Sequence, residues 1–186
     1  MKYFYNDINK KLNGCEIMKY FIKEWIIPIL VALVIVLFLN KFVFLLVTVP
    51  SGSMEDTIVI GDRLYVNEIF DTSKAERGDI LVFRSIELDN KRLVKRLIGL
   101  PGETIEVKED GSVYIDGEKL DEPYVVTSAG EAKTFKVPEN CYFFLGDNRP
   151  ISYDARFWNN PYISKDQIIG KAVFRFFPFN RIGKVE

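Results

Sequence analysis

WIIPILVALVIVLFL, residues 25–39, contains no charged side chain, and FVFLLVTV, residues 42–49, follows after only Asn40 and Lys41. A membrane-spanning helix needs roughly 20 apolar residues, within a range of about 17 to 25. The first run reaches that length when Lys41 snorkels to one interface and Trp25 sits in the other. Pro28 falls in the first turn of such a helix, where proline costs least. A core helix of a soluble protein would show a helical period of polar residues on its solvent face, and none is present. A cleaved export signal would have a shorter apolar core followed by small residues in an A-x-A arrangement. Here Val47, Val49 and Pro50 follow instead. The run is read as a retained, single-pass anchor at residues 25–43, between an N-terminal segment at 1–24 and a domain at 44–186. Lys2, Lys10, Lys11, Lys19 and Lys23 precede it, and after Lys41 the next basic residue is Arg63. The positive-inside rule then places the N-terminus in the cytoplasm and the domain on the outer face of the plasma membrane.

Beyond the anchor, short β-branched and aromatic runs alternate with turn signals, which predicts a mainly β, antiparallel domain. The runs are DRLYVNEIF after Gly61, DILVFRSI after Gly78, RLVKRLIGL before Pro101-Gly102, TIEVKE, SVYIDGEKL, KTFKVP, CYFFLGDN and the closing KAVFRFFPF. Asp116-Gly117 within the fifth of them is a hairpin turn signal. No G-x-G-x-x-G follows a strand, so no nucleotide site is indicated.

Composition narrows the chemistry. The 186 residues are 48% hydrophobic, enough for a real core, and the net charge of −1 gives nucleic acid no electrostatic footing. The chain has no histidine, which removes every mechanism whose base is imidazole and every His-ligated zinc site. The two cysteines, Cys15 and Cys141, have no metal-ligand spacing and fall on opposite sides of the anchor, so they cannot pair. No metal or other cofactor is called for.

Three segments carry reactive side chains. In Pro50-Ser51-Gly52-Ser53-Met54, two hydroxyls two positions apart end a strand-like run, where proline and glycine can expose a nucleophile; an ordinary turn reads the same way. In RLVKRLIGL, strand alternation puts Leu93, Lys95 and Leu97 on one face. Burial there disfavours the ammonium and lowers its pKa, which would let Lys95 take a proton from a serine. Alternatively its stem lies on the sheet and its head reaches water, forming a solvated basic pair with Arg96. In Gly146-Asp147-Asn148-Arg149, with Ser152, Asp154 and Arg156 beyond, acids and arginines two residues apart could cross-link a loop, or simply be solvated.

Taken together these segments resemble the bacterial type I signal peptidases, in a Gram-positive-like form. The matches are PSGSM at 50–54, GDRLYVNE at 61–68, RGDILVFR at 77–84, VKRLIGLPGE at 94–103 and GDNR with the later Ser-x-Asp-x-Arg at 146–156. They run in family order and cover nearly all of the chain after the anchor. The resemblance implies a signal-peptidase-type antiparallel β-sheet domain with a Ser-Lys dyad. Ser53 would be the nucleophile and Lys95 the general base, with the Ser51 hydroxyl and the Ser53 N–H as oxyanion donors. Ser152 would orient Lys95. Asp147, Arg149, Asp154, Arg156 and Arg96 would hold the site's shape. Val47, Val49, Met54, Ile58, Leu93 and Val94 would line shallow pockets that admit small residues in an Ala-x-Ala pattern. The expected partners are signal-peptide-bearing preproteins at the membrane surface and the lipid bilayer, with the enzyme a monomer. The chain departs from the pattern at Asp56, where proline is usual, at Pro150 and Ile151 in place of Asp-Asn, and at Ala155 and Asn159 in place of serine and glycine.

Two other readings use the same residues. A self-cleaving Ser-Lys regulator would carry a DNA-binding domain, and this chain has no basic recognition helix. A non-catalytic assembly factor of the same fold would be expected to lose the serine or the lysine, and both are present.

Overall fold

The computed structural model describes residues 14–42, 44–125 and 130–185. Lys2, Lys10 and Lys11, counted above for orientation, lie outside the described residues, as do the side chains of Cys15 and Lys41. The chain divides into two compact units, Met1–Val43 and Phe44–Glu186.

In the first unit α1 (Gly14–Phe21), a π-helical stretch (Ile22–Ile26) and α2 (Ile27–Phe42) follow one another without a break. Ile17–Phe38 is a 22-residue stretch long and apolar enough to cross a membrane, and none of it is buried within the protein. Leu30, Val31, Leu33 and Val34 are all exposed although they point around the helix axis. A helix apolar on every side suits lipid rather than a half-solvated surface. Pro28 does not sit in a first turn, because the chain is already helical over Gly14–Phe21. Its ring would crowd the carbonyl of Glu24 and it offers no N–H. Immediately before it the ladder widens, with the Ile27 N–H donating to the Ile22 carbonyl. A π-turn is the local adjustment that absorbs such a misfit inside a helix.

Among its described residues the second unit has twelve strands. In chain order they are β1 (Phe44–Thr48), β2 (Arg63–Asn67), β3 (Ile80–Ser85), β4 (Lys91–Gly99), β5 (Thr104–Val107), β6 (Val113–Ile115), β7 (Glu118–Lys119), β8 (Lys133–Lys136), β9 (Cys141–Leu145), β10 (Tyr162–Ser164), β11 (Ile168–Phe177) and β12 (Gly183–Lys184). The larger sheet runs β1-β2-β11-β3-β4-β9-β10, with β12 added to β11, and the smaller runs β7-β6-β5-β8. All strand pairings among the described residues are antiparallel, as expected. Asp116 and Gly117, both with positive φ, form the two-residue turn between Ile115 and Glu118.

The burial explains the sequence patterns. Leu81 and Phe83 of β3 enter a core cluster with Leu97, Phe143 and Phe144, which also takes Ile105, Val113 and Val137 from around the small sheet. Ile80 and Val82 enter a second cluster with Val49, Met54, Ile58 and Leu64. β3 is therefore buried on both faces and loses the polar–apolar alternation. β2 keeps it, with Leu64 and Val66 inward and Arg63 out. The register sets Lys95 of β4 opposite Leu81, and Arg96 opposite Ile80 on one side and Leu145 on the other. A charged pair is thus carried into the middle of a sheet between two apolar clusters.

Candidate active site

The chain leaves β1 and turns through Pro50–Met54 before returning into β2. Both ends of this excursion are pinned. The Val49 N–H donates to the Asp62 carbonyl and the Gly61 N–H to the Val49 carbonyl, each at 2.9 Å. The buried Asp62 carboxylate accepts from the Val59 N–H at 3.0 Å and from Arg175 and Arg181 at 3.3 and 3.2 Å. Met54 and Ile58 insert into the second core cluster, and the Ile58 N–H donates to the Met54 carbonyl at 2.7 Å. Ser53 is consequently held on a braced loop with 8% of its surface exposed. Its N–H makes no backbone hydrogen bond among the described residues.

Lys95 is 3% exposed, and its Nζ donates a short hydrogen bond to Ser53 Oγ. The Ser51 and Ser53 hydroxyl oxygens lie 3.4 Å apart. Burial lowers the Lys95 pKa to about 8, against the opposing pull of the Asp154 and Asp147 carboxylates, with the Arg156 cation adding to the lowering. The solvated-lysine alternative is therefore not what the fold adopts. Nor is Arg96 a solvated partner: its Nε and Nη2 grip both oxygens of Asp147 at 2.9 and 2.7 Å. Thr57 Oγ1 donates to the same carboxylate at 2.6 Å, and the Tyr124 ring lies 3.8 Å from the guanidinium carbon.

The loop after β9 is cross-linked, but only in part by the neighbours that its spacing suggests. Asp154 does pair with Arg156, two residues on, at 2.8 and 2.9 Å. Asp147 turns instead to Arg96, and Arg149 forms a bidentate pair with Glu122. Arg149 Nε also holds the Gly146 carbonyl at 3.0 Å, and Arg156 holds the Arg149 carbonyl at 2.8 Å. This frame delivers the Asn148 N–H to the Ser53 carbonyl at 3.1 Å, joining the loop to the backbone of Ser53. Ser152 is buried in the frame, yet its hydroxyl has no hydrogen-bond partner among the described residues. The expected bond from Ser152 to Lys95 is not made. What Ser152 does is fill the space over Gly146.

A Cβ on residue 146 would fall 2.2 Å from Ser152 Oγ and 2.4 Å from the Ser53 carbonyl oxygen. The second of these is backbone and cannot swing away. Gly146→Ala is expected to destabilise the fold by about 1–3 kcal/mol through overpacking and to lower kcat by about 100-fold by displacing Ser53. Melting temperature and turnover of the purified variant check both; unchanged turnover would mean that the loop yields without moving the serine.

A cavity of about 270 Å³ opens beside the Ser53–Lys95 pair, lined by Leu46–Ser51, Ser53 and Met54 on one side and by Arg92–Lys95 on the other. Five of the six expected pocket residues, Val47, Val49, Met54, Leu93 and Val94, line it. Ile58 does not: it is fully buried in the second cluster, where it braces the loop from behind.

The model of the signal peptidase, peptidase S26, family matches residues 22–177. The chain is 37% identical over 183 residues to signal peptidase IB of Staphylococcus aureus, covering 88% of this chain and 93% of that protein. This chain belongs to the signal peptidase I family. Signal peptidase I of Bacillus licheniformis is 38% identical over 175 residues, covering 88% and 92%. A crystal structure of a signal peptidase I from Enterococcus faecalis is 35% identical with a TM-score of 0.47, covering 53% of this chain and 96% of that one. The protein is accordingly a serine endopeptidase with signal peptidase I function, acting on preproteins and membrane-anchored by its N-terminal helix. Thr57, Glu122 and Tyr124 are parts of its site that sequence reasoning missed. Glu122 and Tyr124 lie in an unpatterned connection between two short strands, and nothing local marks them as partners of Arg149 and Arg96.

Proposed function

We propose that Ser53 attacks the carbonyl before the scissile bond while neutral Lys95 takes its proton. The lysine then hands that proton to the leaving amine, and water repeats the cycle on the acyl-enzyme. The Ser53 N–H and the Ser51 hydroxyl donate to the oxyanion as it forms. The observation that carries this reading is the Lys95–Ser53 hydrogen bond inside a site where the lysine is buried. Asp147, Arg149, Asp154, Arg156 and Arg96 keep the site in shape and Ser152 packs against it. A single chain supplies every group, so no second subunit is required.

The cleft walls favour an extended peptide. β1 is the last strand of its sheet, and β9 pairs with β4 only from Arg96 onward. Lys91–Lys95 therefore has a strand on one side only among the described residues. Backbone groups free on both walls can take a peptide laid between them. Val47, Val49, Leu93 and Val94 leave shallow apolar room for small side chains before the scissile bond. With lysines ahead of the anchor, the N-terminus lies in the cytoplasm and the catalytic unit outside, where exported preproteins emerge.

The test is the pH dependence of kcat/KM in detergent. The base works only when neutral, so the rate rises with pH with a midpoint of about 8, the Lys95 value. A profile that is flat through that region would remove Lys95 as the base.

A further inference from the structure

The end of the cleft away from the dyad is basic, and pockets for small residues do not account for it. Arg92 and Lys95 are the charged residues that line the cleft. Arg92 is exposed and shares a strand face with Val94. Directly opposite Arg92 on β3 stands Arg84, also exposed, and the next pair along is Lys91 with Ser85. Among the described residues Arg84, Lys91 and Arg92 have no carboxylate partner. Like charges directly opposite in an antiparallel pair repel and weaken it. An anion between the two arginines relieves that repulsion.

The position can be counted from the chemistry. Arg92 precedes Lys95 by three residues of β4, about 10 Å at about 3.3 Å per residue. A substrate strand lying against Lys91–Lys95 advances at the same rate. The inference rests on the cleft reading given above, in which the apolar pockets between Arg92 and Ser53 take the residues before the scissile bond. Arg92 then meets the substrate about four residues before that bond.

We propose that Arg92, with Arg84 beside it, is a charge-reading subsite. It favours Asp or Glu, and disfavours Lys or Arg, at the fourth or fifth residue before the scissile bond. Arg92 touches the substrate and sets specificity; it takes no part in bond cleavage.

One peptide substrate carrying Asp, Asn or Lys at the fourth, and separately the fifth, residue before the bond tests this. The full-length enzyme and its Arg92→Glu variant are assayed in nonionic detergent, which keeps anionic lipid out of the comparison. Wild type should prefer Asp over Lys by about tenfold in kcat/KM, since an exposed pair is worth a few-fold and the exchange replaces attraction by repulsion. Arg92→Glu should reverse that order, read as the Asp-to-Lys ratio of kcat/KM within each enzyme. The preference should shrink in about 0.5 M salt. Because each ratio is taken within one enzyme, a partly unfolded preparation does not alter it. The same Asp-to-Lys ratio in both enzymes would overturn the subsite and leave the cleft reading standing. Equal cleavage of peptides with phenylalanine or alanine immediately before the bond would remove the pocket reading, and the subsite with it.

Discussion

Replacing Lys95 by methionine is expected to leave an enzyme that is folded, more stable and inactive. The activity follows from the dyad. Without an acceptor for the Ser53 proton, only the oxyanion donors and substrate positioning remain, and cleavage should fall by at least about 1,000-fold. Lys95→Arg should be as inactive, because a guanidinium stays protonated throughout the working range. The stability change has the opposite sign. The folded enzyme holds Lys95 at about 8 instead of 10.5, chiefly by burial. Below pH 8 that difference costs the fold about 3 kcal/mol, at about 1.4 kcal/mol per unit. The unfolded chain binds the extra proton between the two values, so the cost fades as pH rises from about 8 to 10.5. Methionine fills similar space without a charge, so the melting temperature should rise at pH 7 and the gain should vanish toward pH 10.5. Residual cleavage within tenfold of wild type would remove Lys95 from the mechanism. Inactivity with a lowered melting temperature would mean that the lysine serves the fold first.

What was legible in the chain divides by range. The apolar helix, the strands and the Asp116-Gly117 turn rest on neighbours and periods, and the described fold shows all three. Two short strands, β10 and β12, have no room for a period, and sequence reasoning passed over them. The gathering of Ser51, Ser53 and Lys95 was accessible through the absence of histidine and the order of the motifs. Their supporting ion pairs were less so. Asp147 and Arg149 look like partners at two residues' separation, but both side chains are drawn to charges brought by other elements, Arg96 from β4 and Glu122 from a loop. A buried charge takes whichever partner satisfies its full geometry. For Arg96 that is a bidentate carboxylate reached across the sheet, and sequence distance carries no information about it. Pro28 shows the same limit at short range. Its cost depends on whether the chain before it is already helical, and no local signal around Pro28 decides that.

The Arg96–Asp147 pair is therefore the place where the fold should be most vulnerable. Asp147→Ala is expected to destabilise the protein by about 3–5 kcal/mol, since it removes the bidentate carboxylate that faces a buried guanidinium. The two side chains are 4% and 1% exposed. Arg96 would keep the Gly78 carbonyl at 2.8 Å, Thr57 at 3.4 Å and the Tyr124 ring, none of which carries a negative charge. Thr57 would lose its acceptor as well. A fall in melting temperature of roughly 10 °C or more follows for a chain of this size. The double variant Asp147→Ala with Arg96→Met should recover much of it, because the cost lies in a buried charge that has lost its carboxylate and not in the missing bond. Asp147 also faces Lys95, and its carboxylate is one of two that raise the lysine's pKa against burial. Removing it makes the ammonium less favourable, so the rising limb of the pH–rate profile should move below about 8 in the fraction that remains folded. A limb that stays in place while the melting temperature falls would confine Asp147 to the framework and leave Asp154 as the carboxylate that sets the base.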